Sequence, residues 1–181
     1  MAKRLSQLSP QLQKFIEAQP IFFVGTAAPE GMVNISPKGM DSLRVLKPNR
    51  VAWLNVTGSG NETVAHLLQS PRMTLMFCAF QGAPLILRLY GTAHMVQPGD
   101  AEWDAASGLF PLLLGARQIY ILNVSLVQTS CGMAVPRMDY VADRREQTDW
   151  AEAKSDEELR AYRREKNTLS LGGWPTGLSQ G

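Results

Sequence analysis

The 181-residue sequence has only two cysteines and no long apolar run. Cys78 and Cys131 are too few and too far apart for a disulfide framework or for the ligand spacing of a zinc site. The N-terminal region lacks the apolar stretch of a secretory signal, and apolar runs such as residues 21–24 are far shorter than the ~20 residues that cross a bilayer. We therefore expect a cytoplasmic protein with reduced thiols and no membrane partner.

A large excess of either charge is also missing. Lys and Arg total 18 and Asp and Glu total 16, so the formal net charge at pH 7 is only +2. A protein that binds DNA or RNA by neutralising many phosphates carries a much larger basic excess, so we predict no nucleic-acid partner. The two histidines, His66 and His94, have no set of ligand residues close to them in the sequence, and we predict no metal site.

The distribution of charge divides the chain into two parts. A mass of 20.0 kDa suits one ordinary hydrophobic core that needs no metal or disulfide to fold. Fifteen of the 34 charged residues fall in the last 41 positions. We predict a main domain over residues 1–140 and a charged, helical C-terminal extension over residues 141–181 that packs on it.

Short β-rich segments separated by turn residues make up most of residues 21–140. The patterns predict strands over residues 21–28, 32–36, 50–56, 72–80, 85–96 and 119–129, the last with a bulge near residues 122–123, and helices over residues 62–69, 100–107 and 155–166. An apolar stripe predicts a further helix that ends before Pro20; it consists of Leu5, Leu8, Leu12, Phe15 and Ile16. Consecutive hairpins favour an antiparallel sheet, and in a small domain such a sheet closes into a barrel that removes its edges. We predict a mainly β (α+β) fold, an antiparallel barrel with peripheral helices.

A glycine-rich turn, Gly58-Ser59-Gly60, lies between a predicted strand and a predicted helix. Its glycines allow backbone N–H groups to turn inward, and the helix start adds unpaired donors and the positive end of the helix dipole, so the turn can bind a phosphate. The alternative is a purely structural turn, in which Ser59 and Glu62 form a capping box that satisfies those donors internally. The spacing fits both interpretations equally. It does not fit a P-loop, because no Gly-Lys-Ser/Thr follows, or a dinucleotide fold, because the third glycine and the later carboxylate are absent.

Two basic residues stand in unusual contexts. Ser36 and Lys38 end a predicted strand beside a stiff proline and a permissive glycine, and such a tip either contacts a phosphate or is a simple exposed turn. Arg88 interrupts the apolar run of residues 85–90, where a buried charge needs an acidic partner or an anionic ligand. An arginine at the barrel rim that faces water explains this pattern equally well. Neither context identifies a catalytic residue.

Four segments, residues 34–39, 58–63, 88–91 and 130–132, resemble in this order those of one known family. The region from about residue 21 to 140 is similar to the pyridoxamine 5'-phosphate oxidase-related, FMN-binding split-barrel proteins. This resemblance implies a homodimer of split β-barrels with FMN at the subunit interface, so that residues 1–140 form an FMN-binding split-barrel domain. On the matching motifs, it implies that the cofactor-binding residues are Ser36, Lys38, Ser59, Gly60, Asn61, Thr63 and Arg88.

The resemblance also implies an activity. We expect an FMN-dependent oxidoreductase that acts on a small-molecule substrate or electron donor, and the alternative is a non-catalytic protein of the same fold that binds or senses FMN or haem. The vitamin B6 enzyme of this family contacts its pyridoxine substrate through a C-terminal Arg-Leu-x-Pro stretch, whereas this chain carries Gly-Trp-Pro-Thr-Gly-Leu over residues 173–178. We therefore do not expect oxidation of pyridoxamine phosphate.

Overall fold

The computed structural model describes residues 2–178 and arranges them in eight strands and five helices. In chain order the strands are β1 (Lys3–Leu5), β2 (Phe22–Ala27), β3 (Val33–Lys38), β4 (Leu43–Lys47), β5 (Arg50–Val56), β6 (Arg72–Cys78), β7 (Ile86–Val96) and β8 (Ala116–Ser130). The helices are α1 (Pro10–Glu17), α2 (Glu62–Gln69), α3 (Trp103–Ser107), α4 (Glu146–Glu152) and α5 (Asp156–Lys166). No helix within residues 2–178 is both long enough and apolar enough to span a membrane.

All strands belong to one antiparallel sheet, and its two edges explain why the barrel is split. The order across the sheet is β3-β2-β6-β7-β8-β5-β4, with β1 paired to β8. β3 and β4 are consecutive in the chain but lie at opposite ends of this order, and residues 39–42 connect them. The sheet therefore curls until its two edge regions face each other. Within residues 2–178 no hydrogen-bonded strand pairing joins these two edge regions. The predicted mainly β, antiparallel split barrel with peripheral helices is confirmed.

Aromatic side chains fill the barrel interior. Trp53 and Tyr120 are fully buried and stack with their ring centroids 4.6 Å apart, and the Phe22 ring meets Trp53 edge-on at 6.2 Å. Burial of a large apolar side chain stabilises a fold by roughly 1.5–3 kcal/mol. The buried face of α2, which includes Val64, packs on the same cluster. The aromatic cluster therefore joins β2, β5 and β8 across the barrel.

Some outer elements differ from the sequence prediction. The N-terminal helix begins at Pro10 because Ser9 accepts a hydrogen bond from the Leu12 amide and caps it. Leu5 belongs instead to β1, where it pairs with Val127. Neither β4 nor α4 is predicted from the sequence, because neither has a clear apolar period. In the structure β4 is half-buried without alternation, and α4 buries a single side chain.

A β-bulge interrupts the pairing of β7 with β8. The register shifts between Tyr90 and Gly91, which leaves Ser125 as the extra residue in β8. A Cβ atom at Gly91 would collide with the carbonyl group of Asn123, so only glycine fits this close approach. The bulge predicted near residues 122–123 therefore exists but lies slightly further along the strand.

A second bulge, which the sequence does not indicate, lies between β5 and β8. Asn55 and Val56, two consecutive residues of β5, pair with Gln118 and Ala116, so Arg117 between them is the extra residue. A bulge re-aims the side chain of its extra residue and is common next to binding sites. This one directs the buried guanidinium toward the turn that follows β5.

The C-terminal extension folds back onto the barrel. Ser155 and Glu158 form a capping box at the start of α5. Within α5, Arg160 forms an ion pair with Glu157. Beyond α5 the chain returns to the start of α2, so the extension and the barrel meet at the turn before that helix. The division of the chain at residue 140 stays a prediction.

Candidate anion-binding site

The polar residues of the site lie at the split of the barrel, between β3 on one side and β5 and α2 on the other. β2 and β3 pair so that Ser36 lies opposite Val24, which is fully buried. Cross-strand partners point to the same face of a sheet, so Ser36, together with Asn34 and Lys38 two residues away, points inward. The Lys38 Nζ atom crosses the split to within 3.4 Å of Asn55 Oδ1. Side chains from both sides of the split therefore meet in one place.

A network of side-chain hydrogen bonds ties β3 to β2 and α2. Asn34 donates from Nδ2 to the hydroxyl oxygens of Thr26 and Thr63, both at 3.4 Å. Ser36 donates from Oγ to Asn34 Oδ1 at 3.2 Å, and the Nδ1 atom of His66 lies 3.2 Å from Thr26 Oγ1. The structure thus brings two predicted residues, Ser36 and Thr63, into one polar network, with Asn34 at its centre.

Two cations lie beside this network, Lys38 half-buried and Arg117 buried. The Lys38 Nζ atom lies 5.3 Å from the centroid of the Trp53 ring, and burial, together with the charge of Arg117, lowers the pKa of Lys38 from 10.5 to about 8. Arg117 is only 2% exposed, and burial lowers its pKa to about 10. Within residues 2–178 neither side chain has a carboxylate partner. Because a buried cation without an anion is costly, this corner favours a negatively charged ligand.

The glycine-rich turn directs its carbonyl groups to one side and its amides to the other. Three carbonyl oxygens accept hydrogen bonds from behind the turn: that of Thr57 from Gln147 Nε2 at 2.7 Å, that of Gly58 from Asn167 Nδ2 at 2.9 Å, and that of Gly60 from Arg117 Nη2 at 3.3 Å. In a trans peptide the C=O and the following N–H point in opposite directions, and residues 2–178 contain no cis peptide. The amides of Gly58, Ser59 and Asn61 therefore point away from these partners, and none of the three has an acceptor in the described part of the chain. Three donors that face the same side of one turn suit an anion.

The structure decides between the two interpretations of the Ser59–Glu62 spacing. α2 begins at Glu62 with Asn61 as its N-cap, and the Asn61 side chain makes no capping hydrogen bond. Glu62 Oε1 accepts a hydrogen bond from the Leu171 amide at 2.7 Å instead of one from Ser59. The capping-box alternative is therefore wrong, and the exposed residues Ser59 and Gly60 leave the start of α2 open to a ligand.

Sequence comparison assigns the chain to a family. The family model described as pyridoxamine 5'-phosphate oxidase matches residues 8–131. The chain belongs to the pyridoxamine 5'-phosphate oxidase family. A fungal relative, the pyridoxamine 5'-phosphate oxidase family protein ustO of Aspergillus flavus, is 40% identical over 141 residues, which cover 75% of this chain. The chain spans only 57% of the length of that relative.

Solved structures support the fold of this family member. HupZ of Group A Streptococcus superimposes with a TM-score of 0.52 at 21% identity, covering 66% of this chain and 91% of that one. A protein of Lactobacillus delbrueckii, provisionally named a pyridoxamine 5'-phosphate oxidase, gives a TM-score of 0.53 at 21% identity, covering 68% and 94% of the two chains. At these identities the likeness shows the fold alone, and it agrees with the split barrel.

Arg88 lies within the region matched by the pyridoxamine 5'-phosphate oxidase family model but apart from the other predicted residues. Its neighbours Leu87 and Leu89 are fully buried, so Arg88 points to the outer face of the sheet. There its Nη1 atom donates to Ser130 Oγ at 3.1 Å. The single chain therefore does not bring Arg88 to the site, and its contact with a cofactor stays a prediction.

Asn55, Arg117 and Asn167 are absent from the sequence prediction for different reasons. Asn55 does leave a signal, since it is a polar residue in an otherwise apolar strand just before the turn. Arg117 is aimed by a bulge that no local pattern reveals. Asn167 lies outside the family match, and it contacts Gly58 across 109 positions of sequence. Of these three residues, only Asn55 has a signal in the local sequence.

Proposed function

We propose that this member of the pyridoxamine 5'-phosphate oxidase family binds FMN by its phosphate at the split of the barrel and acts as an FMN-dependent oxidoreductase on a small molecule. The observation that carries the proposal is the Lys38 ammonium, which has no carboxylate partner in residues 2–178, together with three turn amides that have no acceptor among these residues. Such a corner is complementary to a phosphate dianion. Membership in a family whose members commonly bind flavin supports the choice of FMN over other phosphates.

The donors and acceptors of the site fit the parts of FMN. The Lys38 ammonium, the turn amides and the hydroxyl groups of Ser36, Ser59 and Thr63 supply donors for a phosphate monoester. The buried Asn61 Oδ1 atom has no donor within hydrogen-bonding distance among the described residues, so it can accept from a ribityl hydroxyl. When bound, FMN supplies the hydride and single-electron chemistry, and the chain binds and orients it. The proposed contacts are Ser36, Lys38, Ser59, Gly60, Asn61 and Thr63.

Titration with FMN tests this proposal. We expect the protein to bind FMN more tightly than riboflavin, which lacks the phosphate, as measured by the change in flavin fluorescence. Ser36→Ala is expected to weaken FMN binding several-fold, because it removes one hydroxyl from the inward face of β3. Ser125→Ala is the matched control and is expected to leave the affinity unchanged, because the exposed Ser125 hydroxyl donates to the Tyr90 carbonyl and takes no part in the site. Failure to bind either flavin contradicts the proposed function, and equal affinity for both contradicts the phosphate site.

Turnover requires more than binding. In an oxidoreductase the bound flavin is reduced by NAD(P)H or dithionite and is then oxidised again by oxygen or another acceptor. We expect stopped-flow absorbance to show repeated cycles. Bound FMN that never cycles with any donor and acceptor would instead support the non-catalytic binding or sensing protein of the same fold.

We also propose that two copies of the chain meet along β3. β3 is an edge strand, and its outward side chains Val33 and Ile35 are 70% and 69% exposed. An exposed apolar edge strand pairs readily with a second chain. The opposite face of β3 carries Ser36 and Lys38, so a dimer formed here would border the FMN site and agrees with the homodimer that the family resemblance implies.

Ile35→Glu is expected to convert the dimer to monomers, because it places a charge in the middle of this apolar edge. Sedimentation equilibrium measures the change. The matched control is Val141→Glu, at a valine that is 92% exposed outside the barrel strands, and it is expected to leave the dimer intact. A wild-type protein that is monomeric at micromolar concentration contradicts the proposed assembly.

A further inference from the structure

Asn167, at the end of α5, is the centre of the contacts between the C-terminal extension and the glycine-rich turn. The residue is fully buried. Its Nδ2 atom donates to the Gly58 carbonyl at 2.9 Å, and its Oδ1 atom accepts from Nη1 of Arg117. Its backbone oxygen accepts from Asn61 Nδ2 at 3.4 Å and from Thr176 Oγ1 at 2.7 Å. A buried amide with all of these groups paired holds one fixed position.

These contacts fix two peptide groups of the turn. Asn167 holds the Gly58 carbonyl, so the Ser59 N–H that shares this peptide group points away from Asn167, and it has no acceptor among the described residues. Arg117 holds the Gly60 carbonyl in the same way, and Asn167 in turn fixes the Arg117 guanidinium. A turn with two glycines has unusual freedom to rotate its peptide groups. The direction of its amides therefore depends on these partners.

We infer that Asn167 is a positioning residue for the phosphate of the proposed cofactor, because from behind the turn it holds the backbone amides in the direction in which a phosphate can bind. This inference rests on the proposed function, since it concerns the same site. It goes beyond that function because Asn167 itself faces away from the ligand and lies outside residues 8–131, the region that the family model matches.

The extension has attachments to the barrel that do not depend on the Asn167 side chain. Arg163 donates from Nε to Thr57 Oγ1 at 2.8 Å, and the Leu171 amide donates to Glu62 Oε1 at 2.7 Å. These contacts do not involve Asn167. Asn167→Ala therefore removes the hydrogen bonds that position the turn and keeps the other attachments of the extension.

A comparison of FMN with riboflavin separates positioning from general stability. Asn167→Ala is expected to weaken FMN binding about 10-fold, the effect of losing roughly one hydrogen bond to the turn. Riboflavin binding is expected to stay unchanged, because only the phosphate uses the turn amides. The matched control is Thr168→Ala, whose hydroxyl donates to the Arg164 carbonyl within the extension and does not reach the turn. It is expected to change neither affinity.

Inorganic phosphate provides a readout that needs no flavin. In amide NMR spectra of the wild-type protein, added phosphate is expected to shift the resonances of Gly58, Ser59 and Asn61. In Asn167→Ala the same additions are expected to produce much smaller shifts at Ser59 and Asn61, because these two amides lose their fixed direction, whereas the peptide group that contains the Gly58 amide is held by Gln147.

The outcomes distinguish a failure of this inference from a failure of the proposed function. Unchanged FMN affinity in Asn167→Ala, or equal losses for FMN and riboflavin, overturns the inference and leaves the proposed function standing. A wild-type protein that binds no FMN contradicts the proposed function, and the phosphate experiment then tests the inference alone. Phosphate-induced NMR shifts that depend on Asn167 support the inference. The absence of these shifts in the wild-type protein overturns it. If the alanine variant does not fold, Asn167→Asp takes its place, since it keeps the acceptor for Arg117 and removes the donor to Gly58.

Discussion

Lys38→Met is expected to lower FMN affinity about 100-fold and to raise the free energy of unfolding of the cofactor-free protein at pH 7 by roughly 1–2 kcal/mol. Affinity falls because a charge-assisted contact to the phosphate disappears. Stability rises because burial and the charge of Arg117 lower the pKa of Lys38 to about 8, which means that the charged form destabilises the folded state. Methionine keeps an unbranched apolar stem in the same space. Loss of the contacts with Asn55 and the Trp53 ring offsets part of the gain.

FMN titration and urea unfolding measure these two effects separately. Lys47→Met is the matched control, because Lys47 lies exposed at the end of β4 and forms no ion pair within residues 2–178. We expect it to change neither quantity. A Lys38→Met protein that loses affinity and stability together would contradict the interpretation of Lys38 as a half-buried cation without an acidic partner. Unchanged affinity would remove Lys38 from the site.

Opposite effects on binding and stability are characteristic of a residue that is positioned for a ligand. A lysine that serves the fold has an acidic partner, and its removal destabilises the protein. Lys38 instead faces Arg117, which has the same charge, and neutral Asn55. A bound anion would supply the opposite charge that Lys38 lacks, so the binding energy of the ligand compensates for a local cost that the folded chain carries alone.

The hairpins of the barrel could be predicted from the sequence because their signals are local. The two strands of the β6–β7 hairpin are joined by a turn at residues 81–84, and both are rich in β-branched and aromatic residues. The ends of both strands therefore lie within two residues of the predicted ends. β1 could not be predicted in this way, because its three exposed residues become a strand only by pairing with β8, more than a hundred positions later. Edge elements of this kind depend on tertiary pairing and not on their own pattern.

The candidate site shows the same difference between local sequence signals and tertiary contacts. Ser36, Lys38 and the glycine-rich turn stand out as local motifs, and the structure brings them to one corner. The choice between capping and binding could not be made from the sequence, because it depends on where Glu62 points, and its partner is the distant Leu171 amide. The second cation, Arg117, depends on a one-residue bulge in a fifteen-residue strand. Local patterns therefore indicate which residues bind, and tertiary contacts determine how they are directed.

The stability of the cofactor-free protein and its affinity for FMN are expected to change in opposite directions as the pH rises from 8 to 10.5. Folding lowers the pKa of Lys38 from 10.5 to about 8, so in this range the unfolded chain binds more protons than the folded chain, and the free energy of unfolding rises with pH. The lowered pKa corresponds to a rise in the free energy of unfolding of roughly 3 kcal/mol over the whole range. Below pH 8 Lys38 is protonated in both the folded and the unfolded state, so there it does not make stability depend on pH. FMN affinity falls over the same range, because the phosphate loses its ammonium partner.

Comparison with Lys38→Met isolates this effect from other groups that titrate at high pH. Burial raises the pKa of the Cys78 thiol, which acts in the opposite direction, and Tyr120 and Arg117 lie close to Lys38 with shifted pKa values of their own. Urea unfolding and FMN titration at several pH values in both proteins give the difference that belongs to Lys38. The wild-type protein is expected to gain stability relative to Lys38→Met as the pH rises above 8, and its advantage in FMN affinity is expected to disappear. Parallel pH profiles for the two proteins would show that the pKa of Lys38 is the same in the folded and unfolded chains. That result would contradict the interpretation of Lys38 as an ammonium group held without an opposite charge until a phosphate binds.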